Sequence, residues 1–571
     1  MYLGVFLMKS IIVVDCLSTG INFIGDIVNR GYKPVVLELK SGFDDVEKYK
    51  VMVNSFYDKI DEKFDMIFEK DSYEETLEEV RKSNPEIIVP GSERGVILAT
   101  KLANDLNLLC NPIENIDAMT LKDEMHNRLA EKGLRYIRGR TVTTVEEACE
   151  FYDEESLTEV VVKPVYSAAS VGVKICENRD EMIDALNENF SQKNFYGQDM
   201  NELIVQERIK GEEYFINTVS NEGIHRVTTI WKYNKVHTAD GDMIYDTIET
   251  VNEIGIGEAE MVEYAYKVAD AIGIQFGAVH GEYMIDSKGP VLIEVNCRPN
   301  GCTMPAEFID RISGQHETDS ILDSYLKPSR FHAKRKERYR LNAYAALKLF
   351  IVPEDIMARS SPMSAISPRL KSFYQTTLDY IEEDTFFMKT KDLETSGGLV
   401  YMVHEDKAVL QGDIDYLRSV ERNVFSLVLS DEKDMNYQLD EEKLAKDLKE
   451  VVSITEEYGT GLLITDQFLE GVEVLQVGLD GFADLNGEFD YVIVNLNRSL
   501  IDKRDDLGAD IILNIFSDIK VGGIVFIPET TYRYISSGRK GVEALLKTLD
   551  LRIEVPPYGF NPGVIASRNY Y

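Results

Sequence analysis

The chain has 571 residues, 44% of them hydrophobic and 28% charged, a globular composition too long for one core and expected to divide into about three or four units. Ninety-nine Asp and Glu face 62 Lys and Arg, a formal charge of -37, and a field that negative argues against nucleic acid and membrane surfaces as partners. A site for an anionic ligand must then supply its own positive charge, from metal ions or a few placed Lys and Arg.

The opening segment MYLGVFLMK is apolar but too short for a signal h-region and lacks basic residues ahead of it, and Met8 is an equally good start. No run approaches the roughly 20 apolar residues of a membrane helix. Cys16, Cys110, Cys149, Cys176, Cys297 and Cys302 are scattered without CxxC spacing, which reads as reduced thiols in a cytoplasmic protein.

Residues 9–115 alternate strand and helix patterns. Ser10-Ile-Ile-Val-Val-Asp15, Pro34-Val-Val-Leu-Glu38 and Glu86-Ile-Ile-Val-Pro90 are short apolar runs ending in polar turns, which predicts a parallel sheet with helices on both faces. Ligands of such sheets lie beyond the carboxyl ends of the strands, so Asp15 to Thr19 and Gly91 to Glu93 are candidate rim positions as well as ordinary turn residues. From 116 to 330 the pattern reads helix, several strands, a long helix and two strands. Residues 343–350 and 398–403 add alternating segments, 430–449 form a charged helix or linker, and the remainder reads as another α/β unit.

The strongest motif closes the central segment: Gly277-Ala-Val-His280-Gly-Glu282-Tyr-Met-Ile-Asp286, a turn, then Val291-Leu-Ile-Glu294-Val-Asn296-Cys-Arg298-Pro-Asn-Gly301. Two strands joined by that turn set Glu282 opposite Glu294, and spacing by two puts Glu294, Asn296 and Arg298 on one face. Two carboxylates and an amide oxygen suit Mg2+ bridging nucleotide phosphates. Arg298 suits a transferring phosphoryl group or a substrate carboxylate. A polar face in so apolar a strand is poorly explained as mere hairpin surface.

Two weaker motifs precede it. Val160-Val-Val-Lys163 ends an apolar strand in a point charge for phosphate, and the small-residue loop Ser167-Ala-Ala-Ser170-Val-Gly172 offers hydroxyls and backbone N–H groups to a polyanion. Leu203-Ile-Val-Gln206-Glu207-Arg-Ile209 runs into a connection able to pair with a purine edge, with Glu213 beyond it for ribose hydroxyls.

Lys122, Lys163, Glu207 to Glu213 and Glu282 to Arg298 together resemble the ATP-grasp superfamily of carboxylate–amine ligases over residues 1 to about 430. Asp15-Cys-Leu-Ser-Thr-Gly20, Gly91-Ser-Glu-Arg-Gly-Val96, Lys163-Pro-Val-Tyr-Ser-Ala-Ala-Ser170, Trp231-Lys-Tyr-Asn-Lys235 and His280-Gly-Glu282 resemble its L-amino acid ligase branch, which makes dipeptides. The resemblance implies an α/β protein with the ATP-grasp fold: an N-terminal parallel α/β domain over 1–115, a small lobe over 116–200 and a large lobe with extension over 201–430. It implies that Lys122 and Lys163 contact the phosphates of ATP under a closing loop that includes Ser167, Ser170 and Gly172. Gln206, Glu207 and Ile209 would frame adenine, Glu213 would take the ribose, and Leu292 would also contact the nucleotide. Glu282, Glu294 and Asn296 would hold Mg2+, with Mn2+ as a substitute, and Arg298 would act with Lys163 in catalysis by stabilising the acyl-phosphate and the tetrahedral intermediate. Glu93, Trp231, Asp246, His280 and Arg298 are the candidates for contact with the carboxylate and amine substrates. Ala169 stands where the branch often carries Gly, and Pro299-Asn-Gly-Cys302-Thr gives no substrate identity. A homodimer is compatible with this resemblance.

The expected function is ATP-dependent amide formation between small molecules, with amino acids as the expected pair. Other readings are an ATP-grasp ligase or carboxylase with another acceptor, and a non-catalytic nucleotide sensor; no biotinyl-lysine segment favours the former, and no missing Lys or metal ligand the latter. Residues 440–571 resemble the second half of a Rossmann-like S-adenosylmethionine methyltransferase through Glu488-Phe-Asp490-Tyr-Val-Ile-Val-Asn495 and Ile519-Lys-Val-Gly-Gly523-Ile-Val-Phe-Ile-Pro528. Gly459-Thr-Gly461 lies too close to Leu-Leu-Ile-Thr-Asp466 for a nucleotide-binding turn and helix, so a degenerate scaffold or docking domain is expected.

Overall fold

The computed structural model describes residues 8–40, 46–165, 172–194, 199–237, 243–353, 355–358, 367, 370–377, 385–391, 393 and 395–427, and six strands beyond them. The chain forms two compact units. The first comprises Met1–Ala346 with Asp392–Glu394 and Val403–Asp406, and the second Leu347–Lys391, Thr395–Met402 and Lys407–Tyr571.

The first unit opens with β1 (Ser10–Val14), α1 (Asn22–Asn29), β2 (Lys33–Glu38), α2 (Val46–Tyr57), β3 (Asp65–Phe68), α3 (Tyr73–Lys82), β4 (Pro85–Pro90) and α4 (Gly95–Asp105). The strands form a parallel sheet in the order β3-β2-β1-β4. β1 is buried along its whole length. Its Ile11 and Val13 pack with Phe23, Ile24 and Ile27 of α1, while Ile12 and Val14 pack with Ala99, Leu102 and Ala103 of α4. A strand covered on both faces needs no polar alternation, which is why it reads as one apolar run.

Next come α5 (Ile116–Thr120), α6 (Lys122–Glu131), β5 (Gly139–Val142), α7 (Val145–Glu154), β6 (Val160–Pro164), β7 (Lys174–Cys176), α8 (Arg179–Phe190) and β8 (Leu203–Glu207). The strands pair antiparallel in the order β5-β8-β6-β7 and share a core with α7 and α8. Both helices start at a side-chain cap, Thr144 accepting from the Glu147 N–H and Asn178 from the Glu181 N–H.

A second antiparallel sheet follows: β9 (Glu212–Asn221), β10 (Ile224–His237), β11 (Met243–Thr250), then α9 (Ile256–Ile272), β12 (Gly277–Asp286) and β13 (Gly289–Asn296), ordered β13-β12-β9-β10-β11 within this unit. α9 lays Met261, Ala265, Val268 and Ile272 against Tyr283, Leu292 and Val295. It stops at Gly273, whose φ of 84° supplies the left-handed C-cap. α10 (Ala306–Ser313), α11 (Glu317–Leu326) and α12 (Pro328–Arg335) complete the unit.

β14 (Tyr344–Leu349) leads to the second unit, with β15 (Ile356–Ala358), β16 (Phe373–Thr376), β17 (Thr385–Phe387), β18 (Leu399–His404) and α13 (Lys407–Leu427). The expected alternating segments 343–350 and 398–403 are thus strands. Lys348, fully buried, pairs with Glu421 of α13 at 2.8 Å. Beyond it lie β19 (Gly461–Thr465), β20 (Leu475–Val477), β21 (Phe489–Asn495), β22 (Ile519–Ile527), β23 (Leu551–Glu554) and β24 (Val564–Arg568), ordered β20-β19-β21-β22-β24-β23. The first four are parallel and β24 is antiparallel to both neighbours. Gly461 is the first residue of a strand, not part of a turn after one. The charged segment 430–449 and Asp466 lie outside the described residues.

Candidate active site

β12 and β13 pair Glu282 directly with Glu294 and His280 with Asn296, the opposition expected from the hairpin. The register shifts between Glu282 and Tyr283, so Ile293 is an extra residue on β13 with no partner on β12. Such a bulge turns two successive side chains toward one side and reverses the alternation beyond it. Ile293 and Glu294 accordingly line the same cavity. Leu292, expected at the nucleotide, is instead fully buried in the α9 core, and its N–H donates to the Tyr264 hydroxyl at 3.2 Å. The apolar lining expected of Leu292 comes from Ile293 and Met284.

His126, which belongs to none of the sequence motifs, holds this bulge. Its Nε2–H donates to the Ile293 carbonyl at 3.3 Å while Nδ1 accepts from the Ile137 N–H at 3.4 Å. Burial, with help from the Lys163 charge, lowers its pKa to about 4, so the ring is neutral, as one donor and one acceptor require. His126 lies one helical turn beyond Lys122, the first residue of α6.

Lys122 Nζ is 2.8 Å from Glu294 Oε2, and Asn296 Nδ2 donates to Glu294 Oε1 at 3.3 Å. Burial works against ionisation of Glu294, yet Lys122 and Lys163 overcome it and hold the carboxyl at about 2. Burial likewise opposes the charge on Lys122, and Glu294, Glu93 and Glu282 raise its pKa against it. Lys163, 7% exposed near the end of β6, is lowered to about 8 by burial and by Lys122. The two lysines and Glu294 therefore form a compact charge cluster at one wall of a cavity of about 620 Å3.

The same cavity is lined by Gln206, Glu207, Ile209 and Glu213, the residues the resemblance assigns to adenine and ribose. The Glu207 carboxylate is engaged by Arg138, whose Nη2 donates to Oε2 at 2.8 Å and whose backbone N–H donates to Oε1 at 3.0 Å. Its side chain thus fixes the β8 terminus against β5. Gly211 follows at a close approach, where a Cβ would collide with the Ile285 carbonyl. Glu213 accepts from Lys235 Nζ at 2.7 Å and from the Tyr245 hydroxyl at 3.5 Å; burial raises its pKa against the lysine. Gly172 adopts φ of 79° with its carbonyl bonded to Asn189. Ser167 and Ser170 lie outside the described residues.

Arg298 does not continue the strand face. β13 ends at Asn296, and the Arg298 N–H turns back to the Asn296 carbonyl at 2.9 Å. Its Nε lies 3.4 Å from Glu93 Oε2, just before α4. Burial raises the Glu93 pKa, and Arg298 only partly opposes it. The rim expected at Asp15 to Thr19 meets the segment after Arg298: Thr19 Oγ1 donates to the Gly301 carbonyl at 3.3 Å and accepts from the Met304 N–H at 2.9 Å.

His280 Nδ1 bonds Asn217 Oδ1 at 2.8 Å, and its Nε2 is 3.6 Å from Glu282 Oε1. Burial lowers its pKa. Tyr233 donates to Glu282 at 3.3 Å. Trp231 is fully buried and stacks on Phe215, which in turn packs on His280; it stands behind the site and does not line the cavity. Asp246 is buried on β11 where the β10 pairing skips from Thr247 to Tyr245.

The donor set fits magnesium. Among the described residues no three His, Cys, Asp or Glu side chains form a metal cage, but Mg2+ commonly takes one or two carboxylates plus nucleotide phosphates and water. Glu282, Glu294 and Asn296 meet that requirement, with Lys122 and Lys163 beside them for phosphate charge.

An antiparallel lobe and a second antiparallel sheet enclose this cavity and follow a parallel N-terminal α/β sheet, which is the arrangement of the ATP-grasp fold. Residues 156–306 match the ATP-grasp domain family. The chain is 28% identical over 362 residues to dapdiamide A synthase of Enterobacter agglomerans, covering 63% of this chain and 84% of that protein. It is 23% identical over 241 residues to the large chain of carbamoyl phosphate synthase of Thermotoga neapolitana, covering 39% of this chain and only 21% of that one. Among solved structures, L-amino acid ligase from Bacillus licheniformis superimposes with a TM-score of 0.55 at 16% identity, over 72% of this chain and 97% of that chain. At that identity the likeness establishes the fold.

Proposed function

We propose that the protein activates the carboxylate of one amino acid by phosphorylation from ATP and joins it to the amine of a second, releasing ADP and phosphate. The observation that carries this reading is the pairing of Glu282 with Glu294 beside Lys122 and Lys163 at the cavity wall. The similarity to dapdiamide A synthase supports it.

A carboxylate repels an attacking amine and has no competent leaving group. In the first step its oxygen attacks the γ-phosphorus and the bond to ADP breaks. In the second the amine nitrogen attacks the acyl carbon, phosphate leaves with one carboxylate oxygen, and the amine gives up a proton. Magnesium held by Glu282, Glu294 and Asn296 would supply charge neutralisation at the phosphates; Mn2+ is proposed as a substitute. Lys122 and Lys163 orient the phosphates, and Arg298 meets the charge that develops at the acyl-phosphate, where positioning and electrostatics supply most of the catalysis. Gln206, Glu207 and Ile209 form the adenine wall and Glu213 receives the ribose. Ser167, Ser170 and Gly172 belong to the loop proposed to cover the phosphates, Glu93 to the substrate pocket, and His280 and Trp231 shape that region from behind.

The boundaries 1–115, 116–200, 201–430 and 440–571 are proposed as the folding domains, with a cytoplasmic homodimer as the working form. Among the described residues no helix is long and apolar enough to cross a membrane. For residues 440–571 the strand order, with one antiparallel strand near an edge, supports a degenerate Rossmann-like, methyltransferase-like scaffold.

The test is ADP release from Mg–ATP with pairs of amino acids, with mass analysis of the product. A product of two residues minus water, formed only with both amino acids, is expected. Tight ATP binding without turnover on any pair would overturn the amino-acid reading.

A further inference from the structure

Away from the nucleotide cavity, within the field of Arg298, a second carboxylate is buried without an ion-pair contact among the described residues. Glu317 opens α11 and is 5% exposed. Its Oε2 accepts the Asn300 N–H at 3.0 Å, while its Oε1 is buried without a hydrogen-bond partner among the described residues. The adjacent His316 gives it no hydrogen bond, because both ring nitrogens are engaged by Asp26 and Asp310 at 2.9 Å.

Glu317 borders a cavity of about 10 Å3, shared with Thr19, Asn217, Thr228, Thr229, Asn300 and His316, whose charge is met by Asp26 and Asp310. That is about the room one water needs, and an ammonium group is of similar size. The hydroxyl hydrogens of Thr19 and Thr228 are already committed to the Gly301 and Asn217 carbonyls. The Asn217 amide spends its Nδ2 on Thr229 and its Oδ1 on His280. These bonds leave the Thr19 and Thr228 oxygens and Glu317 Oε1 as acceptors at the wall, which suits a donor such as an ammonium group. A buried carboxylate of this kind must be neutralised by a proton or a cation. Burial pushes Glu317 up to about 7, with the Asn300 N–H and the Arg298 charge acting against the shift. A cation is therefore able to compete with the proton near neutral pH.

Resting on the amide-ligase reading above, we propose that Glu317 and this pocket bind the ammonium group of the amino acid whose carboxylate is activated at Arg298. An α-amino acid carries opposite charges a few bonds apart, and Arg298 and Glu317 offer the complementary pair. The site has a chemical consequence. Both substrates carry an amine, and the one held as ammonium has no lone pair with which to attack an acyl-phosphate. Glu317 thereby selects which amino acid is donor and which is acceptor.

The experiment uses the full chain with Mg–ATP and hydroxylamine, which captures the acyl-phosphate as a hydroxamate and isolates the donor step. Donors are alanine, leucine and phenylalanine, each against its des-amino acid: propionate, 4-methylpentanoate and 3-phenylpropionate. The wild type is expected to prefer at least one amino acid over its des-amino partner by about 100-fold in kcat/KM, and Glu317→Gln to lose most of that preference through KM. ATP KM stays unchanged, and Glu317→Asp recovers part of the preference. A folded Glu317→Gln enzyme that retains the preference overturns the assignment while leaving the ligase reading intact. Calorimetric titration of the wild type with a non-hydrolysable ATP analogue and magnesium is independent of any variant: equal affinity for alanine and propionate, leucine and 4-methylpentanoate, and phenylalanine and 3-phenylpropionate also overturns it. Absence of hydroxamate from every acid overturns the ligase reading and this subsite together.

Discussion

Two sets of carboxylates, Glu294 on one side and Glu93 with Glu317 on the other, flank the proposed reaction centre; Glu294 and Glu93 are half-buried, Glu317 is buried, and their environments are opposite. At Glu294 two lysines more than offset the cost of burial and keep the carboxyl ionised down to about pH 2. At Glu93 and Glu317 burial prevails over the nearby arginine and both pKa values rise. Residue type alone does not set the role. A carboxylate whose cations outweigh its burial is suited to a metal–phosphate assembly, whereas one whose burial outweighs its cation is suited to receive a positive group from a ligand.

The largest test of this contrast is Glu294→Ala, expected to lower kcat by about 1,000-fold, because it removes a metal ligand and leaves two lysines facing each other. A loss below about tenfold in steady-state ADP release would place the metal elsewhere. Leu292→Ala separates core from site: it should destabilise the protein by about 3 kcal/mol in denaturant unfolding and leave ATP KM unchanged. His126→Gln should move both quantities modestly, with kcat about tenfold lower, since it acts on Glu294 only by loosening the Ile293 bulge. A kcat equal to wild type would remove that positioning role.

A third environment sharpens the comparison from the cationic side. Burial disfavours the charged form of His316, but Asp26 on α1 and Asp310 on α10 raise its pKa to about 10. Arg30, which pairs with Asp319 and Asp323 nearby, adds to the same charged layer. Because the folded value exceeds the unfolded one of about 6.5, this pairing stabilises fully below about pH 6.5 and loses its contribution as pH rises toward 10. Melting temperature should fall across that window in the wild type and fall less steeply in His316→Gln, which itself costs about 2 kcal/mol at neutral pH. Parallel slopes would show that the histidine is not the titrating group. The smallest effect is expected from Tyr233→Phe, which deletes one hydrogen bond to Glu282 and should reduce kcat about threefold.

The residues whose placement follows from strand periodicity were legible in the sequence: the opposition of Glu282 and Glu294, Lys163 near the end of β6, and the strand that runs through Gln206 into the connection after it. Leu292 was not, because one extra residue at Ile293 reverses the alternation and has no compositional signal. The strand pattern also carried Arg298 too far, since the backbone turns after Asn296. α7 and α8 escaped the pattern although Thr144 with Glu147 and Asn178 with Glu181 mark their starts. Glu317 lies in the polar run Gln315-His-Glu-Thr-Asp-Ser320, which reads as a solvated helix start and is instead packed inward.

The most direct test of the central claim follows a carboxylate oxygen. An amino acid that supports ADP release is labelled with 18O in its carboxylate and incubated with Mg–ATP and its partner. Activation through an acyl-phosphate predicts one labelled oxygen in the released phosphate for each amide formed. Unlabelled phosphate, or label carried into AMP, would contradict it.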